Sequence, residues 1–301
     1  MNRTFKKFLC LALTTATVAG GALSLAGCTT DHPEVEMVLA FNGKSYTLEY
    51  KLYRKKAPNT VNHFLALVEN GYYNEKNGKN ICIHDYSSSK WYAGAYEYDT
   101  AADENDGFLS YRDYFSIVKT FENKDFISVW LDAEKTLPTY TLYGEFDNNG
   151  MSMKQGTFLA QSFGSLAMVY EDKGANASEY NVYVERVDGK GVRSMTYEMN
   201  SATSAFSINL TGTGVDKNHA TFATLQEDST DELTALQNAI KAYIDEHFPE
   251  AEEGEEAPEF AKKVELQYGE GDPFVSEAEL VVEYDVPAEP ILIKSVKVLK
   301  Y

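Results

Sequence analysis

Apolar residues recur at helical spacing between residues 58 and 71, which predicts an amphipathic helix. Four of them share one stripe at i, i+3, i+4 and i+7: Val61, Phe64, Leu65 and Val68. Pro58 suits the first turn, because the N–H that proline lacks would be unpaired there anyway. Asn70-Gly71 supplies the stop, since glycine adopts the left-handed conformation at little cost. Periodicity alone would allow this helix to pack on any sheet.

Alternating apolar and polar residues predict two strands before this helix, at 34–41 and 45–53. Asn42-Gly43 lies between them and is a strong signal for a tight turn, because both residues tolerate positive φ. The start of the chain therefore predicts a β-hairpin that leads into a helix.

Residues 230–247 predict a second helix, with apolar residues on one face: Leu233, Leu236, Ile240 and Ile244. Residues 87–137 show no sustained period and read as an enlarged loop region, with apolar runs at 115–118 and 126–131 that favour some local order. Residues 249–259 are acidic and interrupted by proline, which is typical of a solvated loop.

Residues 1–27 read as an export signal. Three basic residues precede an apolar core, and Leu-Ala-Gly-Cys28 then matches the pattern of a bacterial lipobox, in which the cysteine is acylated. The alternative is a plain signal peptide that happens to contain a cysteine. We expect residues 28–34 to form a lipidated tether, residues 35–301 to form one domain, and the protein to be extracytoplasmic and anchored to a bacterial membrane through Cys28.

The chain is strongly acidic, with a formal charge of −19, and loss of the three basic residues of the signal would make it −22 (−19 − 3). This charge argues against nucleic acid and anionic lipid surfaces as partners. With Cys10 and Cys28 assigned to the leader and the lipid, Cys82 would be alone, so we expect no disulfide. It lies between two isoleucines, which favours a buried small residue over a nucleophile.

Asp147, Asn148 and Asn149 are a possible calcium site. The run lacks the alternating ligands and the terminal glutamate of a calcium loop, so it predicts a turn. We expect no metal and no cofactor.

The residue pattern around the first helix resembles that of one protein family. After a strand come Lys-Ala-Pro-x-Thr-Val-x-x-Phe-x-x-Leu (56–67), Gly-Tyr-Tyr (71–73) and an apolar strand that carries His84. This order resembles the opening of the cyclophilins, the peptidyl-prolyl cis-trans isomerases. The resemblance implies a mainly β fold, a closed antiparallel barrel capped by two helices, here with large loop insertions at about 87–137 and 248–288.

Five later segments are similar to cyclophilin segments in the same order along the chain. Residues 140–150 contain Gly-Glu-Phe, and 164–168 resemble the strand Gly-x-Leu-Ser-Met-Ala. Residues 176–184 stand where the family has Asn-Ser-Ala-Gly-Ser-Gln-Phe-Phe-Ile, and 216–225 resemble the strand with Lys-His-x-x-Phe-Gly. Residues 290–299 look like the strand that closes the barrel.

The resemblance implies where a substrate would bind. Cyclophilins are understood to use an arginine after the strand histidine, a glutamine, an apolar pocket for proline, and a Trp and a His at the rim. Carried over by position, the substrate-binding residues would be His84, Met168, Val169, Asn181, Tyr183 and His219. The arginine position falls on Asp85, the glutamine position on Ala93 and the rim tryptophan near Gly214, so no catalytic residue is secure.

Asp85 decides between two functions. Isomerisation crosses a barrier of about 18–20 kcal/mol that amide resonance imposes. A guanidinium donates hydrogen bonds to the twisted amide, and an ionised carboxylate donates none. Arg112 in the loop region is a possible substitute donor. We expect Asp85 to share a groove with Met168, Tyr183 and His219.

The first function is a lipid-anchored prolyl isomerase that assists the folding of exported proteins. The alternative is a catalytically silent module that binds proline-containing peptides or a surface partner. A solute- or glycan-binding lipoprotein that uses the tyrosine-rich insertions is a weaker third. Each would act outside the cytoplasm, without nucleic acid.

Overall fold

The predicted hairpin and first helix form as expected. In the computed structural model, β1 (Glu34–Phe41) pairs antiparallel with β2 (Lys44–Leu52), and α1 (Pro58–Glu69) follows. All four residues of the predicted apolar stripe are buried. Asn70 is the C-cap of α1, so the predicted stop is confirmed.

The structure describes residues 30–101, 108–150, 158–170, 179–185, 190–212, 214–249, 259–267, 271–274 and 281–301. The predicted leader, Cys28 and most of the acidic segment at 249–259 lie outside the described residues. No helix in the described part of the chain has the length and apolarity needed to cross a membrane.

The elements after α1 are mostly short strands. Those between residues 79 and 130 are β3 (Lys79–Tyr86), β4 (Lys90–Asp99), β5 (Leu109–Tyr111), α2 (Tyr114–Lys119) and β6 (Val129–Trp130). The following ones are β7 (Leu166–Met168), β8 (Asn181–Glu185), β9 (Val192–Thr196), β10 (Phe206–Asn209) and β11 (Ala220–Leu225). The last are α3 (Thr230–His247), β12 (Ala261–Gln267), β13 (Val281–Pro287) and β14 (Leu292–Lys300).

Eight of the strands close into an antiparallel barrel, as predicted. Their order is β10-β7-β11-β2-β1-β14-β3-β4, and β10 pairs with β4 to complete the ring. β14, the predicted closing strand, lies between β1 and β3. β5 extends the sheet along β4.

The two predicted helices pack on the barrel. Leu233, Leu236 and Ile240 of α3 are buried, and Ile244 packs against the same core. α1 lacks a side-chain cap of its own, and the buried Glu145 supplies one. Its Oε2 accepts hydrogen bonds from the N–H and hydroxyl of Thr60, both at 2.8 Å.

Two expectations about the insertions are wrong in part. Residues 90–99 were expected within an enlarged loop, yet they form β4, one of the longest barrel strands. The predicted insertion at 248–288 contains an ordered hairpin, since β12 and β13 pair along their whole length. Separately, β6, β8 and β9 form a three-stranded sheet outside the barrel.

The run Asp147–Asn149 is a single 3-10 turn that ends on Gly150 in the left-handed conformation, as predicted. Cys82 is buried, also as predicted. Among the described residues, no three His, Cys, Asp or Glu side chains gather in a way that could hold a metal ion.

Candidate functional site

Alternation along the strands divides the expected site residues between the two faces of the barrel wall. Met168 on β7 and Ala93 on β4 are fully buried in the main core, with Phe206 of β10 beside them. They therefore face the interior of the barrel, so the assignment of Met168 to substrate binding is wrong, and Ala93, the residue at the glutamine position, does not face a groove. Val169, the next residue, lies in a second apolar cluster on the outer side of the wall.

Asn181 and Tyr183 were expected on a strand that lines the groove, and the structure places them on a strand elsewhere. These residues lie on β8, which pairs with β6 and β9 and is not a barrel strand. β10 takes the place beside Met168, where Phe206 is opposite it. The register that put Asn181 and Tyr183 at the floor of the site is therefore wrong.

The sequence does contain the signal for the correct strand. Residues 200–208 read Asn-Ser-Ala-Thr-Ser-Ala-Phe-Ser-Ile, closer to the cyclophilin pattern than residues 176–184 are. In this register the glutamine of that nine-residue segment, which falls on Asn181 if residues 176–184 are used, falls on Ala205. The Ala205 carbonyl accepts a hydrogen bond from the Val169 N–H at 3.1 Å. Ala205 lies in the outer cluster with Val169, so the site residue that the earlier register missed is on the outer face.

β3 presents two consecutive residues to the outer face. Its pairing with β4 shifts register between Ile83 and Asp85, and such an irregularity breaks the usual alternation of side chains. Ile83 belongs to the interior core, while His84 lies against Tyr96 and Tyr284, with ring centroids 4.8 and 5.0 Å away.

His84 is a buried, neutral histidine. It is 0% exposed, and no described group makes a hydrogen bond of ordinary geometry with either ring nitrogen. Burial lowers the pKa of His84 to about 3, although the backbone of Cys82 opposes the shift. The imidazole therefore acts as an apolar wall at neutral pH.

The β12–β13 hairpin covers this outer face. Its alternate residues Val282, Tyr284 and Val286 point to the barrel and pack, with Leu266 of β12, on the cluster. The barrel residues beneath it lie on β3 and β4, directly after β7 and directly before β10: Cys82, Ala95, Tyr96, Val169 and Ala205. The face that carries His84 and Val169, two of the residues at which the resemblance places substrate, is occupied by a segment of the chain itself.

Asp85 is half-buried and tied to that hairpin. Its Oδ1 accepts a hydrogen bond from the backbone N–H of Asp285 on β13 at 3.2 Å. Burial raises the pKa of Asp85, and the hydrogen bond from Asp285 opposes this. The position to which the resemblance assigns the arginine thus holds a carboxylate whose Oδ1 accepts a hydrogen bond within the protein.

Arg112, the possible substitute donor, has its guanidinium engaged inside the protein. It is 3% exposed, and its Nε is 2.6 Å from Oε2 of Glu97. The remaining guanidinium donors reach backbone carbonyls of three residues: Tyr72, Asn74 and Lys79. These contacts join β5 to β3, β4 and the end of α1, so Arg112 is a structural residue.

His219 lies at the rim, in a small polar cluster at the start of β11. Its Nδ1 is 3.0 Å from Oδ2 of Asp216, and Lys90 Nζ is 3.9 Å from the same oxygen. Burial raises the pKa of Asp216, but hydrogen bonds from His219 and from the Asn218 N–H outweigh it and lower the pKa to about 2. Lys90 Nζ also lies 5.9 Å from the ring centroid of Tyr92, which packs against the outer cluster.

Of the four residues expected in one groove, the structure brings Asp85 to the covered outer face and His219 to a polar rim cluster. Met168 is inside the barrel and Tyr183 is on a separate sheet. Val169, another of the predicted substrate-binding residues, lies on the outer face with Asp85 and His84. Ala205 lies there too.

A sequence comparison agrees with the closed barrel, with the Gly-Glu-Phe segment whose Glu145 caps α1, and with the strand that carries His84. A family model described as "Cyclophilin type peptidyl-prolyl cis-trans isomerase/CLD" matches residues 37–251. The chain belongs to this family. The match ends before the β12–β13 hairpin and before β14. The hairpin that covers the outer face therefore lies outside the residues that match the family model.

Solved cyclophilin structures are similar to the chain at low identity. A Cryptosporidium parvum cyclophilin-type peptidyl-prolyl cis-trans isomerase is 14% identical, with 90% of this chain and 99% of that one covered at a TM-score of 0.40. A second structure of that enzyme, in the presence of the dipeptide Ala-Pro, is 13% identical, with 89% and 99% covered at a TM-score of 0.40. The Mimivirus cyclophilin is 10% identical, with 91% and 93% covered at 0.40. Among curated proteins, none matches the sequence.

Proposed function

We propose that this protein is an exported, lipid-anchored cyclophilin that binds extended segments of other polypeptides and does not turn over prolyl bonds. The observation that carries the proposal is the occupation of the outer face by the β12–β13 hairpin, with Asp85 bound to its backbone. The outer face can bind apolar side chains. The ionisable side chain that it offers for hydrogen bonding is the Asp85 carboxylate, which takes the place of a cation.

Catalysis of prolyl isomerisation needs preferential binding of the twisted amide. Loss of one charge-assisted donor at a site of developing charge costs about 10²–10³ in rate. In the described residues, the outer face offers His84, neutral and buried, and Asp85, an acceptor. Neither group supplies the stabilisation that an arginine would give, which supports binding over turnover.

A protease-free isomerase assay on a short X-Pro peptide tests the proposal. We expect the wild-type chain to leave the uncatalysed rate unchanged, and Asp85→Arg to remain silent because the hairpin still covers the face. Catalysis by the wild type that Val169→Glu abolishes, and that Lys44→Glu on an exposed part of β2 leaves intact, would show the chain to be an isomerase.

The sequence of the N-terminus supports the anchor, because Leu-Ala-Gly-Cys28 follows an apolar core. Expressed in a lipoprotein-processing bacterium, the wild type should sediment with membranes and incorporate labelled fatty acid. Cys28→Ser should abolish both, whereas Cys10→Ser, inside the cleaved segment, should change neither. Membrane attachment that survives Cys28→Ser would exclude a lipid anchor at this residue.

A further inference from the structure

The β12–β13 hairpin is attached to the barrel through one face. The outward residues of β13 are exposed, while Val282, Tyr284 and Val286 between them face the barrel. The backbone ladder of β13 runs to β12, with Val264 opposite Tyr284 and Leu266 opposite Val282. An isolated two-stranded hairpin is marginally stable in water, so the apolar contacts with the barrel hold it in place.

The contact with the barrel leaves a polar group uncompensated. His84 is fully buried beneath Tyr284, and neither ring nitrogen makes a hydrogen bond of ordinary geometry with a described residue, although the backbone of Cys82 lies close enough to raise its pKa. Burying such nitrogens without partners costs free energy that water would return on opening. The covered state is therefore less favourable than its apolar contacts alone would make it.

A cavity opens at the edge of the hairpin. It has a volume of about 290 Å³ and lies between β5 and the end of β12. Its lining includes Tyr96 and Leu266, which also belong to the covered cluster, together with Tyr111 and Asp113. A side chain that enters this cavity reaches the edge of the contact between the hairpin and the barrel.

β13 itself has the features of a ligand for this face. It is extended, it alternates apolar and polar residues, and it carries Tyr284 at its centre. It ends in Val286-Pro287, and both residues are buried. Asp285, next to this X-Pro pair, donates its N–H to Asp85. Val286 of this X-Pro pair thus packs on the outer face, and Pro287 follows it at the end of the strand.

We propose that β13 is an intramolecular ligand of the outer face, displaced by extended segments of other polypeptides that have apolar residues at alternate positions, a central aromatic residue and a following X-Pro pair. This inference rests on the proposed function, because the face that β13 covers is the proposed binding site. The hairpin would set the affinity, since a partner must compete with a segment that is always present.

Cys82 reports opening of the hairpin, because it lies 1% exposed beneath it. In the full chain with Cys10→Ser and Cys28→Ser, Cys82 is the remaining thiol. We expect an aromatic disulfide reagent to modify Cys82 through local opening of the hairpin. The modification rate should then increase less steeply with urea concentration than the equilibrium constant for global unfolding does. This measurement on the folded chain needs no weakening substitution. Modification that follows global unfolding at every urea concentration would overturn the inference.

Tyr284→Ala weakens the contact, and Val281→Ala on the exposed side of the same strand is its control. We expect Tyr284→Ala to speed modification of Cys82 about tenfold or more, at an unfolding midpoint that keeps the chain folded, and Val281→Ala to leave the rate unchanged. Equal rates in the two variants would contradict the role of β13 as the occupant.

A labelled peptide with the sequence of residues 281–287 tests the partner chemistry. It should bind the Tyr284→Ala chain more tightly than the wild type, and a peptide with serine in place of its tyrosine should bind weakly. Failure of the peptide to bind either chain would exclude this class of ligand.

The two proposals fail in different ways. If Cys82 is protected until global unfolding and the isomerase assay stays silent, the hairpin is a fixed cover and the displacement inference falls. If Tyr284→Ala opens the face and the opened chain catalyses isomerisation, the displacement inference stands and the absence of turnover falls.

Discussion

The backbone N–H of Asp285 donates a hydrogen bond to Oδ1 of Asp85 over 3.2 Å, across 200 residues of sequence. One partner is at the position to which the resemblance assigns an arginine, and the other lies in a hairpin beyond the family match. The carboxylate therefore has a structural partner in this protein, and that partner belongs to the hairpin that covers the outer face.

Removal of this carboxylate should loosen the hairpin locally. We expect Asp85→Ala to reduce the hydrogen-exchange protection of the Asp285 amide by about tenfold, since a net hydrogen bond contributes about 0.5–1.5 kcal/mol. Asp85→Asn retains a carbonyl acceptor and should preserve most of the protection. Equal loss in both variants would show that the ionised form, and not the hydrogen bond, matters.

His84 should make stability depend on pH. Its pKa falls from 6.5 to about 3 in the folded chain, so between these values the unfolded chain binds a proton that the folded chain does not. The contribution of this pKa difference to the free energy of unfolding is complete above pH 6.5. It is lost as the pH falls, at up to about 1.4 kcal/mol per pH unit. Urea unfolding of His84→Phe should show a flatter profile in this window.

The same experiment has an internal comparison in His63 on α1. Burial lowers the pKa of His63 to about 4, and the hydrogen bond with the Thr203 carbonyl opposes the shift. His63 remains in the His84→Phe chain, so part of the acid sensitivity should persist. A His84→Phe profile identical to that of the wild type would mean that His84 is solvated before unfolding.

Glu145 should give a slope of the opposite sign. Burial raises its pKa from 4.5 to about 7 despite hydrogen bonds from Thr60 and Asn59 at the start of α1. Between these values the folded chain binds the extra proton, so stability falls as the pH rises. Glu145→Gln keeps an acceptor and should remove this slope, while Glu122→Gln at an exposed site should retain it.

Gly94 in β4 cannot carry a side chain. Its φ is +99°, and a Cβ there would lie 2.3 Å from the carbonyl oxygen of Ser204. We expect Gly94→Ala to destabilise the chain by about 3 kcal/mol or more, by urea unfolding. Gly43 has φ +74° and open space around it, so Gly43→Ala measures the backbone cost alone, about 1 kcal/mol. Similar losses at both positions would argue against the close approach.

Removal of Arg112 should destabilise the fold strongly. Its guanidinium is buried beside Glu97, and loss of one member of a buried pair costs about 3–5 kcal/mol. We expect Arg112→Met to lower the urea midpoint much more than Arg54→Met, since Arg54 hydrogen-bonds near the chain surface. A small effect at Arg112 would indicate that water replaces its contacts.

The sequence was most informative where local pattern decides the structure. The β1–β2 turn at Asn42-Gly43 and the stripe on α1 require no knowledge of distant partners. The register of β10 depends on pairing with β4 and β7, and strands of three or four residues carry too little periodicity to fix it. Residues 176–184 were therefore assigned to a place that residues 200–208 occupy.

The outer face was harder to predict for a different reason. Alternation predicts opposite directions for His84 and Asp85, but the register shift in β3 sends both to the hairpin. The alternation of Val282, Tyr284 and Val286 indicates a strand with one apolar face, and it does not say which surface the face covers. Its packing on β3 and β4 follows from tertiary structure alone.

The position of β14 in the barrel determines the order in which the fold can form. β14 pairs with both β1 and β3, yet more than 200 residues of chain separate it from either. As the chain emerges during synthesis, β1 and β3 keep an open edge until residues 292–300 arrive, and open edges invite pairing with other chains. Ring closure is thus a late event of high contact order, and folding should be slow for a domain of this size.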